Sequence, residues 1–362
     1  MSGRGRWRRA TVAVTGMNAK PDNPGPGYAV ARCLRESEFQ GKLVGLGYDV
    51  LDPGLYARQA LESGYLLPYP SAGHEALFER IEFIHRQEKI DVIIPTLDAE
   101  IASFICIEKA LNRIGIQLLL PSLEALKMRD KDRLPQLCDE LSLHHPRTRK
   151  VPGKTFFETC TEEGWEYPLV VKGPFYDAHI AYHPAQAQRA YQLLVEQWGY
   201  PVLVQEFVSG QELNLTALGD GRGDLIGTVM MAKRALTDKG KAWAGVSVVD
   251  KELEEMARQL ASATFWKGPL EVEALRDNKG RLHLIEINPR FPAWIYLSKG
   301  VGRNLPLAHL QLTLGDEPAQ FEPPAAGQLF IRYAEELVVD IATFETLMMQ
   351  GHRTAHSLKE AV

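Results

Sequence analysis

The sequence lacks the features that mark membrane, secreted or disulfide-stabilised proteins. No run approaches the roughly 18 apolar residues that a membrane span requires, and no apolar stretch follows the basic start as a secretory signal would. The four cysteines are widely spaced and form no Cys-x-x-Cys motif. This spacing argues against both a disulfide framework and a zinc site. We therefore expect a cytoplasmic protein with no membrane partner.

An excess of basic charge is also missing. The formal net charge is −5 at pH 7, whereas a nucleic-acid-binding surface usually needs a clustered basic face. The exception is the basic segment at residues 4–9, which we interpret as a frayed tail or, failing that, a weak contact for an acidic partner. We expect no nucleic-acid partner. The 362 residues are enough for two or three domains.

The most informative segment that is present predicts a β-hairpin. Residues 268–275 and 282–290 are two apolar runs interrupted by acidic residues, and the residues between them, 277–280, favour a turn. If the turn pairs Arg276 with Arg281, four polar side chains share one sheet face. They are Glu271, Glu273, Glu286 and Asn288.

In that register Glu271 faces Glu286 and Glu273 faces Leu284. Diagonal neighbours on such a face are about 7–8 Å apart, a distance that two small cations can bridge. Carboxylates and an amide carbonyl are hard oxygen ligands, which suit Mg²⁺ that also binds water and phosphate. The alternative is a solvated outer face with ordinary surface acids. Arg290, at the strand exit after a proline that ends the pairing, would lie beside the metals.

The N-terminal third alternates strand and helix patterns, which predicts a parallel α/β sheet. Strands are predicted at residues 11–15, 42–46, 91–94 and 116–120, and helices at residues 28–35, 75–87 and 99–112. Gly25-Pro26-Gly27 either cradles an anion at a helix N-terminus or forms a turn without a ligand. It is not the dinucleotide fingerprint, so a dehydrogenase is disfavoured. Thr96-Leu97-Asp98 stands where ligands bind in open α/β sheets.

Two further units follow a helical connector. The smaller one contains predicted strands at residues 167–171 and 201–207 with a helix that begins at Pro184. The larger one begins with antiparallel strands at residues 213–218 and 225–232. Residues 328–333 can supply one more strand, either as a structural edge, which we favour, or to bring Arg332 to the site.

Four segments, in their order along the chain, resemble the ATP-grasp superfamily. They are Lys131 in the connector, Lys172 at the end of an apolar strand, residues 204–212 and the acidic hairpin. Residues 286–290, Glu-Ile-Asn-Pro-Arg, are similar to the E-x-N-P-R run of the carbamoyl-phosphate synthetase and amino-acid ligase branch. The spacing from Glu273 to Glu286 is that of the metal carboxylates in several members of this branch. The resemblance therefore selects Glu273 rather than Glu271 as the first ligand.

The resemblance implies an α/β and α+β protein with the ATP-grasp fold. It adds an N-terminal, Rossmann-like pre-ATP-grasp domain, a small lid and a larger antiparallel-sheet domain. The expected units are an N-terminal α/β domain (1–120), a helical connector (121–147), the lid (148–207), the domain with the metal hairpin (208–318) and a short C-terminal extension (319–362).

The resemblance also implies the roles of individual residues around a bound ATP. Lys131 and Lys172 would neutralise the α- and β-phosphates, and Glu212 would bind the ribose hydroxyls. The backbone of Glu206, Phe207 and Val208 would read the adenine edge. Mg²⁺, or Mn²⁺ in its place, would be held between the β- and γ-phosphates by Glu273, Glu286 and Asn288. Arg290 would bind the substrate carboxylate or its acyl phosphate, for which a planar guanidinium is well shaped.

Two basic or unusual segments remain open. Lys233, Arg234 and Lys241 either face the γ-phosphate or lie on a solvated loop, and we favour the loop. Residues 173–179 stand where the family carries a flexible glycine-rich loop, and the glycines are largely gone. Because Pro174 has no N–H to offer a phosphate, closure over the phosphates uses another element or phosphate binding is altered.

The function that this resemblance implies is an ATP-dependent ligase. It would activate a carboxylate as an acyl phosphate and join it to an amine, with an amino acid or a peptide as substrate. The alternatives are a bicarbonate-activating enzyme like carbamoyl-phosphate synthetase and a nucleotide-binding regulatory protein without turnover. The short segment after Asp316 disfavours a complete carbamoyl-phosphate synthetase or a biotin carboxylase. Small-molecule substrates are expected as partners, and a homodimer is an option.

Overall fold

A five-stranded sheet forms the N-terminal part of the chain in the computed structural model, which describes residues 5–20, 22–173, 177–238 and 240–353. Its elements are β1 (Thr11–Val14), α1 (Gly27–Arg35), β2 (Lys42–Gly47), β3 (Ser63–Leu66), α2 (His74–Glu88), β4 (Val92–Ile94), α3 (Asp98–Arg113) and β15 (His352–Arg353). The strand order is β15-β3-β2-β1-β4. All pairs are parallel except β15 with β3, as expected for short apolar strands covered by helices.

Two sequence predictions for this sheet are wrong. The segment at residues 116–120 is not a strand, because only Gln117 forms an isolated bridge, to Val92. Its apolar side chains instead pack under α3 and α4 (Leu123–Met128). The basic start is not a frayed tail. Residues Arg6–Arg9 form a 3-10 helix in which Trp7 is 5% exposed, and Trp7 belongs to the hydrophobic core.

After α4 and α5 (Leu134–Glu140), a four-stranded antiparallel sheet follows, here termed the lid sheet. It comprises β5 (Thr148–Val151), β6 (Leu169–Lys172), β7 (Ala178–Ala181) and β8 (Val202–Glu206), with α6 (Phe156–Thr159) and α7 (Pro184–Trp198). The order is β5-β8-β6-β7. The apolar stripe of α7 that its spacing predicts, including Ala187, Tyr191 and Leu194, is buried against the sheet.

A six-stranded antiparallel sheet, here termed the large sheet, forms the rest. It comprises β9 (Gly210–Asp220), β10 (Leu225–Leu236), β11 (Ala242–Val248), β12 (Lys267–Asp277), β13 (Leu282–Asn288) and β14 (Leu329–Ile331), with α8 (Lys251–Thr264), α9 (Tyr296–Gly300), α10 (Leu305–Thr313) and α11 (Ile341–Gln350) nearby. The order is β13-β12-β9-β10-β11-β14. The predicted α/β and α+β architecture is confirmed.

The acidic hairpin is formed by β12 and β13, but its register differs from the prediction. Arg276 pairs with Leu282 rather than with Arg281, because the turn is one residue longer and Asp277 N–H bonds to the Arg281 carbonyl at 2.9 Å. A β-bulge at residue 285 then adds a second residue of offset, and an offset of two residues returns the side chains to the predicted face. As a result Glu273 faces Glu286, and Glu271 faces Asn288. The four polar residues therefore share one face as predicted, although Leu284 now lies on the opposite, core face.

One hydrophobic cluster joins the N-terminal sheet to the large sheet. It contains residues from both, including Val14 and Met17 on one side and Met231, Phe291 and Trp294 on the other. The lid sheet has a separate core that draws only on residues 151–204. Among the described residues, none of the helices is both long and apolar enough to cross a bilayer. All four cysteines are free thiols.

Candidate active site

Two clefts border the acidic hairpin. The first, here termed the lid cleft, lies between the lid sheet and β13 and has a volume of about 320 Å³, counting space open to solvent. Its walls combine apolar side chains with two cations and a few polar groups, which suits a planar base followed by phosphates. The lining residues are Lys131, Leu134, Pro135, His145, Pro146, Thr148, Lys172, Leu203, Gln205, Leu284 and Ile285.

The two predicted phosphate-binding lysines both line the lid cleft. Lys131 lies in the turn between α4 and α5, and Lys172 ends β6. Burial lowers the pKa of Lys172 to about 8, and the positive charge of Lys131 adds to this shift, while the Glu286 and Glu273 carboxylates oppose it. Lys172 is therefore a desolvated cation that faces the acidic hairpin, which is a favourable setting for binding phosphate.

The predicted adenine-reading segment lies at the end of β8. Glu206 is tied to the connector by two hydrogen bonds with the Arg147 backbone, at 2.9 and 3.0 Å. Phe207 is 37% exposed. The lining of the lid cleft includes Gln205 and stops one residue before Glu206. Residues 206–208 thus form the edge of the cleft, with their roles as adenine contacts still a prediction.

The three predicted metal ligands are adjacent on the hairpin. Glu273 and Glu286 are opposite residues of β12 and β13, so their Cβ atoms are about 4.5–5.5 Å apart. Asn288 Nδ2 donates to Glu273 at 3.0 Å, which leaves the amide oxygen for a cation. Glu286 forms no hydrogen bond or ion pair with any residue that the structure describes. Two carboxylates and an amide oxygen are a donor set that fits Mg²⁺.

The negative charge of Glu273 is stabilised before any metal is present. Burial raises the pKa of Glu273, but the positive charges of Lys233, Lys241 and Arg290 outweigh this effect and lower it to about 2. Within the described part of the chain, no three His, Cys, Asp or Glu side chains are grouped to hold a metal ion. The candidate set has two such side chains, so phosphate oxygens and water would have to complete the coordination.

Glu271 differs from Glu273 although the two lie on the same strand and the same face. It is 3% exposed and its carboxylate accepts four hydrogen bonds. The donors are Asn214 Nδ2 (3.1 Å), Asn288 Nδ2 (3.2 Å), Arg290 Nη1 (2.7 Å) and Trp294 Nε1 (2.8 Å). A carboxylate with this many donors has little capacity left for a cation. Its contacts are those of a residue that organises the site.

Lys233 was placed on a solvated basic loop by the sequence analysis, and this placement is wrong. It lies within β10, and only 8% of its side chain is exposed. Its Nζ atom is 2.7 Å from Glu212 and 3.3 Å from Glu273. Burial lowers the pKa of Lys233, but the two carboxylates more than reverse this and raise it. The predicted ribose ligand Glu212 is therefore held in an ion pair that also contacts the metal hairpin.

Arg290 is fixed between two carboxylates. Its Nε donates to Asp98 at 2.8 Å and its Nη1 to Glu271 at 2.7 Å, and the residue is 8% exposed. Burial raises the pKa of Asp98, but the charges of Arg290 and Arg129 outweigh it and the net shift is downward. Asp98, the first residue of α3, therefore links the N-terminal sheet directly to the hairpin.

The second cleft, here termed the N-terminal cleft, lies between the N-terminal sheet and the acidic residues of β12. It encloses about 680 Å³, counting space open to solvent. The lining residues are Asn18, Asn23, Pro24, Gly25, Pro26, Thr96, Leu97, Asp98, Asn214, Lys233, Lys241, Ala242, Glu271, Glu273, Arg290, Ala293, Trp294 and Arg332. Glu273 and Arg290 thus lie where a molecule in this cleft meets the acidic hairpin.

The Gly25-Pro26-Gly27 turn borders this cleft, but its N–H groups are used internally. Gly25 N–H bonds to Asn18 Oδ1 at 2.7 Å, and Gly27 N–H bonds to the Gly16 carbonyl at 3.0 Å. A Cβ atom on Gly27 would lie 1.9 Å from the Thr15 carbonyl oxygen, so the close approach requires glycine. The turn therefore shapes the cleft wall rather than offering two free donors to an anion.

Several site residues escaped the sequence analysis. Trp294, Asn214 and Arg129 all contact the charged groups of the hairpin or Asp98. The sequence did contain a pattern that places Lys233 in the site. Lys233 follows an apolar strand at a spacing of two residues from the buried Met231, so both side chains are on the same face. The predicted departure from a glycine-rich loop falls partly on residues 174–176, which lie outside the described residues.

Comparisons with known proteins agree with this geometry. A family model described as "ATP-grasp in the biosynthetic pathway with Ter operon" matches residues 200–337. A solved biotin carboxylase from Campylobacter jejuni, in complex with β,γ-ATP, superposes with a TM-score of 0.67 at 16% identity, over 87% of this chain and 73% of that one. A solved L-amino acid ligase from Bacillus licheniformis superposes with a TM-score of 0.63 at 16% identity, over 85% of this chain and 75% of that one.

The chain has the ATP-grasp fold, and an ATP-grasp family model and several ATP-grasp structures match it, which confirms the resemblance. Among curated proteins it is similar to the arginine-specific large chain of carbamoyl phosphate synthase from Bacillus subtilis. The two are 27% identical over 225 residues, which is 59% of this chain and 21% of the relative. The chain thus spans about a fifth of that relative's length.

Proposed function

We propose that this protein is an ATP-dependent carboxylate–amine ligase that uses Mg²⁺. The observation that carries the proposal is the pairing of Glu273 with Glu286 on a hairpin that borders both clefts, with the partly buried Lys172 near enough for both carboxylates to act on its charge. ATP would occupy the lid cleft, with its γ-phosphate at the hairpin, and the second substrate would enter from the N-terminal cleft. The relatives named above support a fold that activates carboxylates with ATP.

In the proposed reaction, a carboxylate oxygen attacks the γ-phosphorus of ATP, and the bond to ADP breaks. The amine nitrogen then attacks the carbonyl carbon of the acyl phosphate, the C–O bond to phosphate breaks, and the nitrogen loses a proton. The products are an amide, ADP and inorganic phosphate. Mg²⁺ held by Glu273, Glu286 and Asn288 would neutralise phosphate charge.

The chain's own residues would position the reactants and exclude water. Lys131 and Lys172 would hold the phosphates from the lid side, and Arg290 would hold the acyl phosphate from the hairpin side. Because Arg290 is fixed by Asp98 and Glu271, its guanidinium needs no reorganisation during the reaction. The proposal includes a cytoplasmic location, where ATP is supplied and free thiols stay reduced.

The test is Mg²⁺-dependent release of phosphate from ATP, screened with amino acids, small peptides and bicarbonate, with products identified by mass spectrometry. Glu286→Gln should abolish this release, while Glu196→Gln, an exposed change on α7, should not affect it. Release with bicarbonate alone would favour the carbamoyl-phosphate-synthetase-like alternative. ATP binding without release under every condition would favour a regulatory protein. Undiminished release by Glu286→Gln would remove the metal assignment.

A further inference from the structure

Lys233 connects two parts of the candidate nucleotide site. Its Nζ atom lies 2.7 Å from Glu212, the predicted ribose ligand, and 3.3 Å from Glu273, a predicted metal ligand. The same atom donates to the Gly240 carbonyl at 3.4 Å. An ammonium group has three N–H donors, so these contacts use all of them. One cation, with 8% of its side chain exposed, therefore links a carboxylate assigned to the ribose with one assigned to the metal.

The register of the large sheet brings these three side chains together. Glu273 pairs with Asn214 of β9, and Asn214 pairs with Met231 of β10. Glu212 lies two residues from Asn214, and Lys233 lies two residues from Met231, so both side chains are on the same face as Glu273. The sheet itself therefore holds the ammonium beside Glu273.

This position of Lys233 affects any metal ion at the hairpin. Mg²⁺ bound to Glu273 would lie next to the ammonium, where little of the lysine side chain is exposed to water. Like charges that are close together repel more strongly where water does not screen them. Glu286 on the facing strand is one carboxylate that could offset the repulsion. The phosphates of a nucleotide would add several more negative charges.

We propose that Lys233 is a positioning residue that makes metal binding depend on nucleotide. The inference rests on the proposed function, because it takes Glu273 as a metal ligand and Glu212 as a ribose ligand. Lys233 holds both carboxylates in place and repels a divalent cation that arrives alone. A nucleotide supplies the negative charge that offsets this repulsion, so the metal and the nucleotide enter the site together.

The test is a titration with Mn²⁺ in place of Mg²⁺, with the free ion measured by electron paramagnetic resonance in the presence and absence of ADP. We expect the wild type to bind Mn²⁺ about tenfold or more weakly without ADP than with it. Lys233→Met should tighten the binding of Mn²⁺ without ADP about tenfold or more. Lys233→Arg, which keeps the charge, should retain the dependence on ADP.

The direction of the change in Lys233→Met separates this role from a purely structural one. Loss of a purely structural lysine would displace Glu273 and weaken the binding of Mn²⁺. Unchanged or weaker binding of Mn²⁺ by folded Lys233→Met would therefore overturn the inference. Arg234→Gln removes one positive charge at the next residue, which is exposed, and should leave the binding of Mn²⁺ unchanged. Equal tightening in both variants would show a general charge effect and would also overturn it.

A second variant decides the question if circular dichroism shows that Lys233→Met does not fold. Glu212→Gln leaves the ammonium with Glu273 as its one carboxylate partner, so Mn²⁺ should bind more weakly without ADP, and equal or tighter binding would contradict the inference. Failure of the proposed function is a separate result. Tighter binding of Mn²⁺ by Lys233→Met, with no phosphate release by the wild type, would reject the ligase and keep this role. Phosphate release with unchanged binding of Mn²⁺ by Lys233→Met would do the reverse.

Discussion

The two acidic residues Glu271 and Glu286 lie on the same sheet face, yet we expect substitution of Glu271 to lower stability and substitution of Glu286 to affect only the use of ATP. Glu271 is 3% exposed and accepts four hydrogen bonds, one of them from the buried Arg290. Removing one partner of a buried ion pair costs about 3–5 kcal/mol. Glu271→Gln retains the shape and one acceptor, so we expect the lower end of this range, a loss of about 3 kcal/mol in the free energy of unfolding.

Glu286 has no hydrogen-bond or ion-pair partner among the described residues, so Glu286→Gln should change the free energy of unfolding by no more than about 0.5 kcal/mol. Its effect should appear only in Mg²⁺-dependent use of ATP. Both variants are unfolded with urea in the absence of nucleotide, and followed by far-UV circular dichroism and tryptophan fluorescence. Because Trp294 donates to Glu271, its fluorescence also reports on the site. Equal unfolding midpoints for the two variants would refute the distinction between an organising and a ligating carboxylate.

Three further predictions concern Lys172 and Trp7. Lys172→Ala should weaken the binding of ATP about tenfold or more and leave the binding of adenosine unchanged, because the lost contact is to phosphate. If calorimetry shows that both ligands bind equally more weakly, the assigned role of Lys172 is wrong. Since burial lowers the pKa of Lys172 to about 8, wild-type affinity for ATP should fall between about pH 7 and pH 9.5 as the free protein loses this charge, and Lys172→Arg should abolish that dependence. Trp7→Ala should lower the free energy of unfolding in urea by about 3–5 kcal/mol, because Trp7 is 5% exposed. Arg9→Ala, at an exposed residue, is the control and should leave the stability unchanged. An unchanged stability in Trp7→Ala would show that residues 6–9 behave as a tail.

The acidic hairpin shows how much of the site was readable from the sequence. The alternation of apolar and acidic residues predicted that Glu271, Glu273, Glu286 and Asn288 share a face, and they do. The pairing itself was wrong by one residue at the turn and by two residues beyond the bulge at residue 285, and the offset of two keeps these side chains on one face. Period-two patterning reports which face a side chain is on. It does not report the length of a turn or the place of a bulge.

The remaining features depend on contacts between distant parts of the chain. Nothing local to Glu271 shows that Asn214, Arg290 and Trp294 converge on its carboxylate. The same holds for Arg332, which the sequence analysis treated mainly as part of an edge strand. The strand is indeed at the sheet edge, and the arginine that follows it lines the N-terminal cleft. Both facts are consequences of tertiary packing rather than of local pattern.

The path of the C-terminal chain determines which parts of the molecule can move relative to one another. It adds β14 to the large sheet and then β15 to the N-terminal sheet, and these two sheets also share a hydrophobic cluster. The lid sheet is built on its own core and joins the rest near residues 147 and 207. We therefore expect the lid cleft to open for nucleotide exchange by rotation of the lid sheet about these two connections. The N-terminal cleft lies between two sheets that share a hydrophobic cluster, so we expect it to keep its shape during that rotation.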